Sequence, residues 1–307
     1  TTTPAALLCS VMSDPAAGPR EHRRRLLAVL GASQALGDFL VAHPERLTAL
    51  APDRAWDAPQ EPDAGEALQR AVRDALGQAD PVNADPSDSD ERPPHPGDAA
   101  VSRATAALRR AYRDRLTAIV ADDLTSADPI EHVPTVCRRM TELADAALDA
   151  ALLVARAVVG PQADDVALAV IAMGKTGARE LNYISDVDVV YVVGPTHEAR
   201  GAQEPISEER LVEVGTHVAT ELAHVVSATA PEPPLWPLDT ALRPEGKDGA
   251  LVRTLDSHLA YYRRWAASWE FQALLKARAC AGDVELGARY EQGVAPYVWE
   301  ASRRENF

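Results

Sequence analysis

From residue 186 the chain alternates Asp186-Val187-Asp188-Val189 and then runs on as an apolar stretch to Val193. In an extended strand this alternation puts both aspartates on one face and both valines on the other, the valine face suited to a core. Strand geometry spaces the two aspartate Cα atoms by roughly 6.6 Å. Carboxylates this close repel unless a cation joins them, and Mg²⁺ is commonly held by one or two carboxylates together with substrate phosphate. An isolated acidic pair also suits an exposed edge strand with both acids in water. The flanking sequence argues for the cation. Residues 166–173 (VALAVIAM) form a second short apolar run of the kind buried strands show. Gly174 follows as a turn residue, and residues 174–182 leave room for a turn and a short helix before the second run begins.

This order of strand, glycine turn, short helix and Asp-x-Asp strand resembles the nucleotidyltransferase superfamily related to DNA polymerase β. There a Gly-Ser turn cradles phosphate, and a third acid on a later strand completes the metal site. Lys175 stands here in place of the serine, and a lysine meets phosphate as a point charge. A phosphate-binding P-loop is the competing reading, because Gly174-Lys175-Thr176 matches the end of that motif. It fails at the start, where Ala169 occupies the position of the first required glycine.

The rest of the chain sets this segment among helices. Aromatic residues make up 5% of the 307 and the chain is 46% hydrophobic with abundant alanine, which favours helix. Apolar residues at three- and four-residue spacing predict helix over 20–50, 64–77, 99–123 and 207–229, and helices again from Asp256 onward. Asp128 before Pro129, with Glu131 three residues on, predicts a capped helix start and a run to Gly160-Pro161. Residues 235–242 read as a further strand. Trp265 and Trp269, four apart, are expected to pack a core on one helix, and His217 and His224 show no metal-ligating spacing. Residues 80–98 hold five prolines among Asp and Ser and read as a mobile linker or insertion. The expected organisation is an N-terminal helical region over 1–79, the linker, a nucleotidyltransferase core with leading helices over 99–254, and a C-terminal helical segment over 255–307. The expected class is α+β and mostly helical, with a small mixed sheet flanked by N- and C-terminal helices.

A formal net charge of −15 opposes general nucleic-acid binding. Cys9, Cys137 and Cys280 form no metal-ligating or disulfide pattern. Residues 1–11 lack the basic flank of a signal peptide, and no apolar run approaches the length needed to span a bilayer. A cytoplasmic protein is expected.

Three ordered motifs narrow the resemblance. Gly174-Lys175 with Arg179-Glu180-Leu181-Asn182 and Ser185-Asp186-Val187-Asp188, then residues 238–252 (LDTALRPEGKDGALV), then residues 269–283 (WEFQALLKARACAGD) are similar to motifs of glutamine synthetase adenylyltransferases. Residues 29–47 resemble that family's N-terminal helical region. The wording leans toward actinobacterial members, and Thr176 and Ala178 depart from the more usual Leu and Gly. The Glu-Leu-Asn triplet matches the half of the family that removes AMP rather than the half that attaches it, and the family's length implies that this chain is one part of a longer protein.

The resemblance implies phosphorolysis. Inorganic phosphate takes AMP from a tyrosine of adenylylated glutamine synthetase, giving ADP and free tyrosine. It implies Asp186, Asp188 and Asp239 as ligands of Mg²⁺, with Mn²⁺ a substitute and Asp239 also a candidate general base. Gly174, Lys175 and Ser185 are implied at the nucleotide phosphate, Arg243 and Lys247 at the attacking phosphate, and Lys276 and Arg278, read as helical, less directly so. Glu180 and Asn182 are expected either to support these groups from behind or to hydrogen-bond a helix end. The alternatives are an ATP-dependent adenylyltransferase, or a docking and regulatory module for glutamine synthetase or a PII signalling protein.

Overall fold

The computed structural model describes residues 17–51, 63–77, 97–201 and 205–303. The predicted linker therefore lies outside the described residues except for Gly97 and Asp98, which already begin a helix. The element order is α1 (Ala17–Ala32), α2 (Gln34–Ala42), a 3₁₀ turn (Pro44–Leu50), α3 (Ala64–Gly77), α4 (Asp98–Leu124), α5 (Pro129–Val159), β1 (Val166–Ala172), α6 (Gly174–Gly177), β2 (Val187–Pro195), α7 (His197–Arg200), α8 (Glu208–Ser227), β3 (Leu238–Asp239), β4 (Val252–Thr254), α9 (Leu255–Arg264), α10 (Ser268–Leu274), β5 (Arg278–Gly282) and α11 (Val284–Ala301). The class is mostly helical α+β.

Local chemistry sets several boundaries. The helical run expected over 20–50 is divided where Ser33 turns extended and its side chain accepts from the Leu36 N–H. It ends at His43, because a residue before proline is driven out of the helical region and Pro44 follows. Asp128 caps α5 as its spacing predicts, accepting from the Glu131 N–H at 3.2 Å. Ser207 caps α8 in the same way, at 3.2 Å from the Arg210 N–H.

The sheet has the order β3-β2-β1-β5, with β4 also paired to β2. β1 runs antiparallel to β2 and to β5, whereas β3 and β4 lie parallel to β2. One face carries Val187, Val189, Tyr191 and Val193 into a buried cluster shared with α3, α4, α5 and α8, of which α8 lies against β2 itself. The other packs Val190 and Val192 against α9, α10 and α11. β2 is thus covered on both sides along most of its length, and its aspartate face is open only at its first residues. A third cluster joins α1, α2 and the 3₁₀ turn to the end of α4.

Three expectations need correction. The strand expected over 235–242 shrinks to Leu238–Asp239, since Pro237 lacks a donor and Asp239 turns the chain by accepting from the Ala241 N–H at 2.7 Å. β5 was expected as helix. Its sequence, Arg-Ala-Cys-Ala-Gly, has no β-branched residue, and it is a strand because β1 offers it a partner. Trp265 and Trp269 share no helix. The first ends α9 and is 75% exposed; the second lies in α10 and is 48% exposed, while Tyr262 and Phe271 fill the core positions. His217 and His224, for which the sequence left a surface or a core place open, are both exposed.

A buried histidine couples this packing to pH. The His258 ring donates from Nε2 to the Tyr191 carbonyl at 3.2 Å and stacks against Tyr262, and its Nδ1 has no partner. Burial is the main cause that lowers its pKa from 6.5 to about 4. The unfolded chain therefore takes up this proton at a higher pH than the folded one does. Its contribution is complete above about pH 6.5 and is lost as pH falls toward 4. Urea titrations at pH 7.5 and pH 5 should show about 2 kcal/mol more loss of stability in the wild type than in His258→Phe.

Candidate active site

The site stands where β1 ends and β2 and β3 begin. The Met173 N–H donates to the Asp188 carbonyl at 2.8 Å and brings the glycine turn onto the start of β2. Gly174 takes φ +52, and a Cβ there would lie 2.4 Å from Asp188 Oδ2. Glycine is needed twice over, for the left-handed backbone and for room beside the carboxylate. The turn backbone and the Asp188 carboxylate therefore form one continuous surface.

Asp188 is the second residue of β2, and Asp186 lies just before the strand rather than inside it as expected. Asp239 stands in register with Asp188 across the parallel β2–β3 pair. Residues in register on neighbouring strands share a face about 4.8 Å apart, so the third acid, joined to the others in the sequence only by motif, is brought beside them by backbone pairing.

The three acids also act on one another. Burial raises the Asp188 carboxyl above its usual range first, then the Asp239 and Asp186 carboxylates raise it further, and Lys175 opposes them. Among the described residues, no three His, Cys, Asp or Glu side chains are yet gathered to hold a metal ion, and Asp239 turns Oδ1 back toward its own loop. The donor set itself fits a hard divalent cation, being all carboxylate oxygen with mutual repulsion that such a cation relieves.

Lys175 is exposed and donates from Nζ to Ser185 Oγ at 3.0 Å; Ser185 donates to Asn182 Oδ1 at 2.6 Å. Asn182 also accepts from the Ile184 N–H, so it shapes the loop before Asp186 rather than a helix end. The loop is pinned at two further points, by the Leu181 N–H on Thr141 Oγ1 at 3.3 Å and by the Tyr183 hydroxyl on Asp123 at 2.8 Å.

The four cations other than Lys175 that were expected at phosphate are placed differently from one another. Arg243 spends its guanidinium on the carbonyls of Gly249, Thr240 and Lys247 and on Thr240 Oγ1, at 2.8–3.0 Å. It organises the loop after Asp239 and presents no free fork. Lys247 is exposed on that loop. Lys276 lies in the turn between α10 and β5 and pairs with Glu180 at 3.0 Å, both groups exposed. Arg278 is the first residue of β5, not helical. It holds Asp145 through two bonds of 2.8 and 3.0 Å and donates to the carbonyls of Thr176 and Gly177. A Cβ on Gly177 would meet the Lys276 carbonyl at 1.9 Å. The segment carrying Lys276 and Arg278 thus props the glycine turn from behind.

Two supporting residues escaped the sequence reading. Asp145 lies in α5, and burial raises its carboxyl while Arg278 lowers it. Its signal was available. Asp145 and Asp149, four apart, interrupt an otherwise Ala- and Leu-rich helix, and Asp149 accepts from the Gly282 N–H of β5. The other is Arg109 on α4, fully buried, which donates to the carbonyls of Val225, Ala228 and Glu232 at 2.8–3.0 Å. With Arg113, bonded to the Pro233 and Pro234 carbonyls, it fixes the path from α8 to Asp239.

The family model for glutamate-ammonia ligase adenylyltransferase matches residues 23–293. Similar proteins named bifunctional glutamine synthetase adenylyltransferase/adenylyl-removing enzyme occur in several actinobacteria. That of Mycolicibacterium smegmatis is 46% identical over 292 residues, 94% of this chain and 26% of the relative. That of Corynebacterium glutamicum is 43% identical over 301 residues, 93% and 26% respectively, and that of Bifidobacterium longum subsp. infantis 42% over 287 residues, 92% and 25%. The chain spans about a quarter of the length of these relatives. With a match over 23–293 and identities of this size across nine-tenths of its length, the chain belongs to the glutamate-ammonia ligase adenylyltransferase family.

Proposed function

We propose that this chain removes AMP from adenylylated glutamine synthetase by phosphorolysis. The observation that carries the reading is the register of Asp188 with Asp239, with the Asp188 carboxylate set against the Gly174 turn. That arrangement suits a phosphoryl group between a backbone turn and three acids. The Glu180-Leu181-Asn182 triplet supports removal as the direction.

Phosphate oxygen attacks the α-phosphorus of the AMP–tyrosine ester. The bond to the tyrosine oxygen breaks, ADP forms, and the departing phenolate takes up the proton that the attacking hydrogen phosphate gives up. Two anions meet in this step, so charge must be neutralised and the attack aligned with departure. Asp186, Asp188 and Asp239 would hold Mg²⁺ or Mn²⁺, which supplies that neutralisation when bound. The chain's own groups do the remainder. The Gly174 turn admits the α-phosphate close to backbone. Lys175, held by Ser185, offers a positive charge at the open side of the acids. Lys247 is the exposed cation on the loop after Asp239, suited to the incoming phosphate, while Arg243 keeps that loop in shape. The expected setting is the cytoplasm; among the described residues no helix is long and apolar enough to cross a membrane.

The test is to incubate adenylylated glutamine synthetase with the chain, Mg²⁺ and phosphate. ADP should form in step with loss of the modification, and only when phosphate is present. AMP released without phosphate would mean hydrolysis and overturn the reading. The relatives' names carry the opposite direction as well, and ATP consumed with pyrophosphate release on unmodified glutamine synthetase would establish transfer instead. Binding of glutamine synthetase or a PII protein without turnover would establish a docking and regulatory module.

A further inference from the structure

Beside the acids the surface holds a groove of about 920 Å³. Helix α2 forms one wall with Ala35 and Leu36, and α4 forms the floor with Leu116 and Val120. Tyr183 and Ile184 stand at one rim and Pro233 and Pro234 at another. We propose that this groove seats the extended segment of glutamine synthetase that flanks the modified tyrosine. The inference rests on the preceding reading only in taking that tyrosine as the site of reaction; it holds for either direction of AMP transfer.

Three observations select a polypeptide as the occupant. First, two short stretches of main chain join the lining of the groove to the acids. Tyr183 and Ile184 immediately precede Ser185 and Asp186, so the rim lies within roughly 7 Å of main chain from the first acid. Leu235 lines the groove four residues before Asp239.

Second, the charged groups lining the groove do not offer themselves to a nucleotide or free phosphate. Arg113 is bonded to the Pro233 and Pro234 carbonyls, at 2.8 Å each. Glu232 is paired with Arg110 at 3.0 Å and with His43 at 3.1 Å. Asp38, also lining it, repels an anion. The rest of the lining is apolar apart from Ser33, Tyr112 and Tyr183, whose hydroxyls are bonded to Leu36, Trp236 and Asp123 within the chain. Third, Ile184 is 94% exposed on a loop pinned to α4 and α5 through Tyr183 and Leu181. A large apolar side chain held out on a fixed loop beside a reaction centre suits contact with a protein substrate. Its fixed loop and the proline-walled rim lower the ordering cost of binding.

Ala35 and Ile184 are both exposed and lie on different walls, so Ala35→Glu and Ile184→Glu leave the core intact. Each should raise the KM for adenylylated glutamine synthetase about tenfold, with kcat within about twofold, because an unpaired carboxylate opposes burial under an apolar segment. An unchanged KM in both would overturn the proposal. Binding is read separately by placing the photo-reactive p-benzoylphenylalanine at position 35 and irradiating with adenylylated glutamine synthetase. The adduct should fall on the peptide around the modified tyrosine. An adduct within this chain, on a second copy, on a remote surface of glutamine synthetase, or none at all would overturn it. If the unmodified chain shows no turnover and the adduct still maps to the tyrosine segment, the proposed reaction fails and the docking site stands.

Discussion

Replacing Asp188 with asparagine should remove turnover by about a thousandfold or more without lowering the melting temperature. The two effects have one cause. Asp188 is half-buried, and burial together with the Asp239 and Asp186 carboxylates works against its charged form. Asparagine keeps the shape and relieves that repulsion, so the fold gains or loses little. The same change removes a hard oxygen ligand at the centre of the acid cluster, where several kcal/mol of charge stabilisation are at stake, and each 1.36 kcal/mol is about tenfold in rate. Steady-state release of ADP from adenylylated glutamine synthetase and a thermal melt of the same preparation check both halves. Turnover within tenfold of wild type would remove Asp188 from the site. Asp186→Asn should also abolish turnover with the fold intact. It should stabilise less, because Asp186 lies exposed before the strand.

Arg109→Met should give the opposite pattern, with the fold itself weakened. Arg109 is fully buried and satisfies carbonyls at the C-terminal end of α8 and in the segment leading to Asp239. These carbonyls have no helical partner of their own. Methionine retains the apolar stem and removes every donor, leaving several acceptors buried and unpaired. Hydrogen bonds to a charged group contribute about 1.5–3 kcal/mol each and do not add fully, so a total loss of roughly 3–5 kcal/mol is expected. For a chain of this size that is a fall of about 5–8 °C in melting temperature. Turnover measured well below the melt should fall too, because the loop from Ala228 to Pro237 delivers Asp239 to its register with Asp188. A variant that melts like the wild type and turns over normally would show that Arg109 clamps nothing of consequence.

How far the residues announce the structure differs from element to element. α5 was legible at both ends, since Asp128, Pro129 and Glu131 act through bonds to their immediate neighbours and Gly160 stops the helix within one residue. β1 and β2 were legible because their apolar runs are buried on both faces. β5 was not, because alanine, cysteine and glycine carry little strand preference and the strand exists through its pairing with β1. Trp265 and Trp269 misled because spacing predicts a shared face only if the helix continues, and here it breaks between them.

The candidate site divides on the same line. Residues close in sequence determined their own arrangement at the Gly174 turn after an apolar strand, at Val187 to Val193, and in the Ser185–Asn182 bond of the loop before Asp186, although Asp186 itself falls just outside the strand. These are local because backbone sterics and a two-residue period act over a few residues. Tertiary structure alone decided three things. It placed Asp239 opposite Asp188, turned Arg278 toward Asp145 rather than outward, and spent Arg243 on its own loop. The first two depend on groups far away in sequence, the third on how the loop around Arg243 closes on itself, and in each a carbonyl or carboxylate short of water takes the nearest donor that the fold supplies.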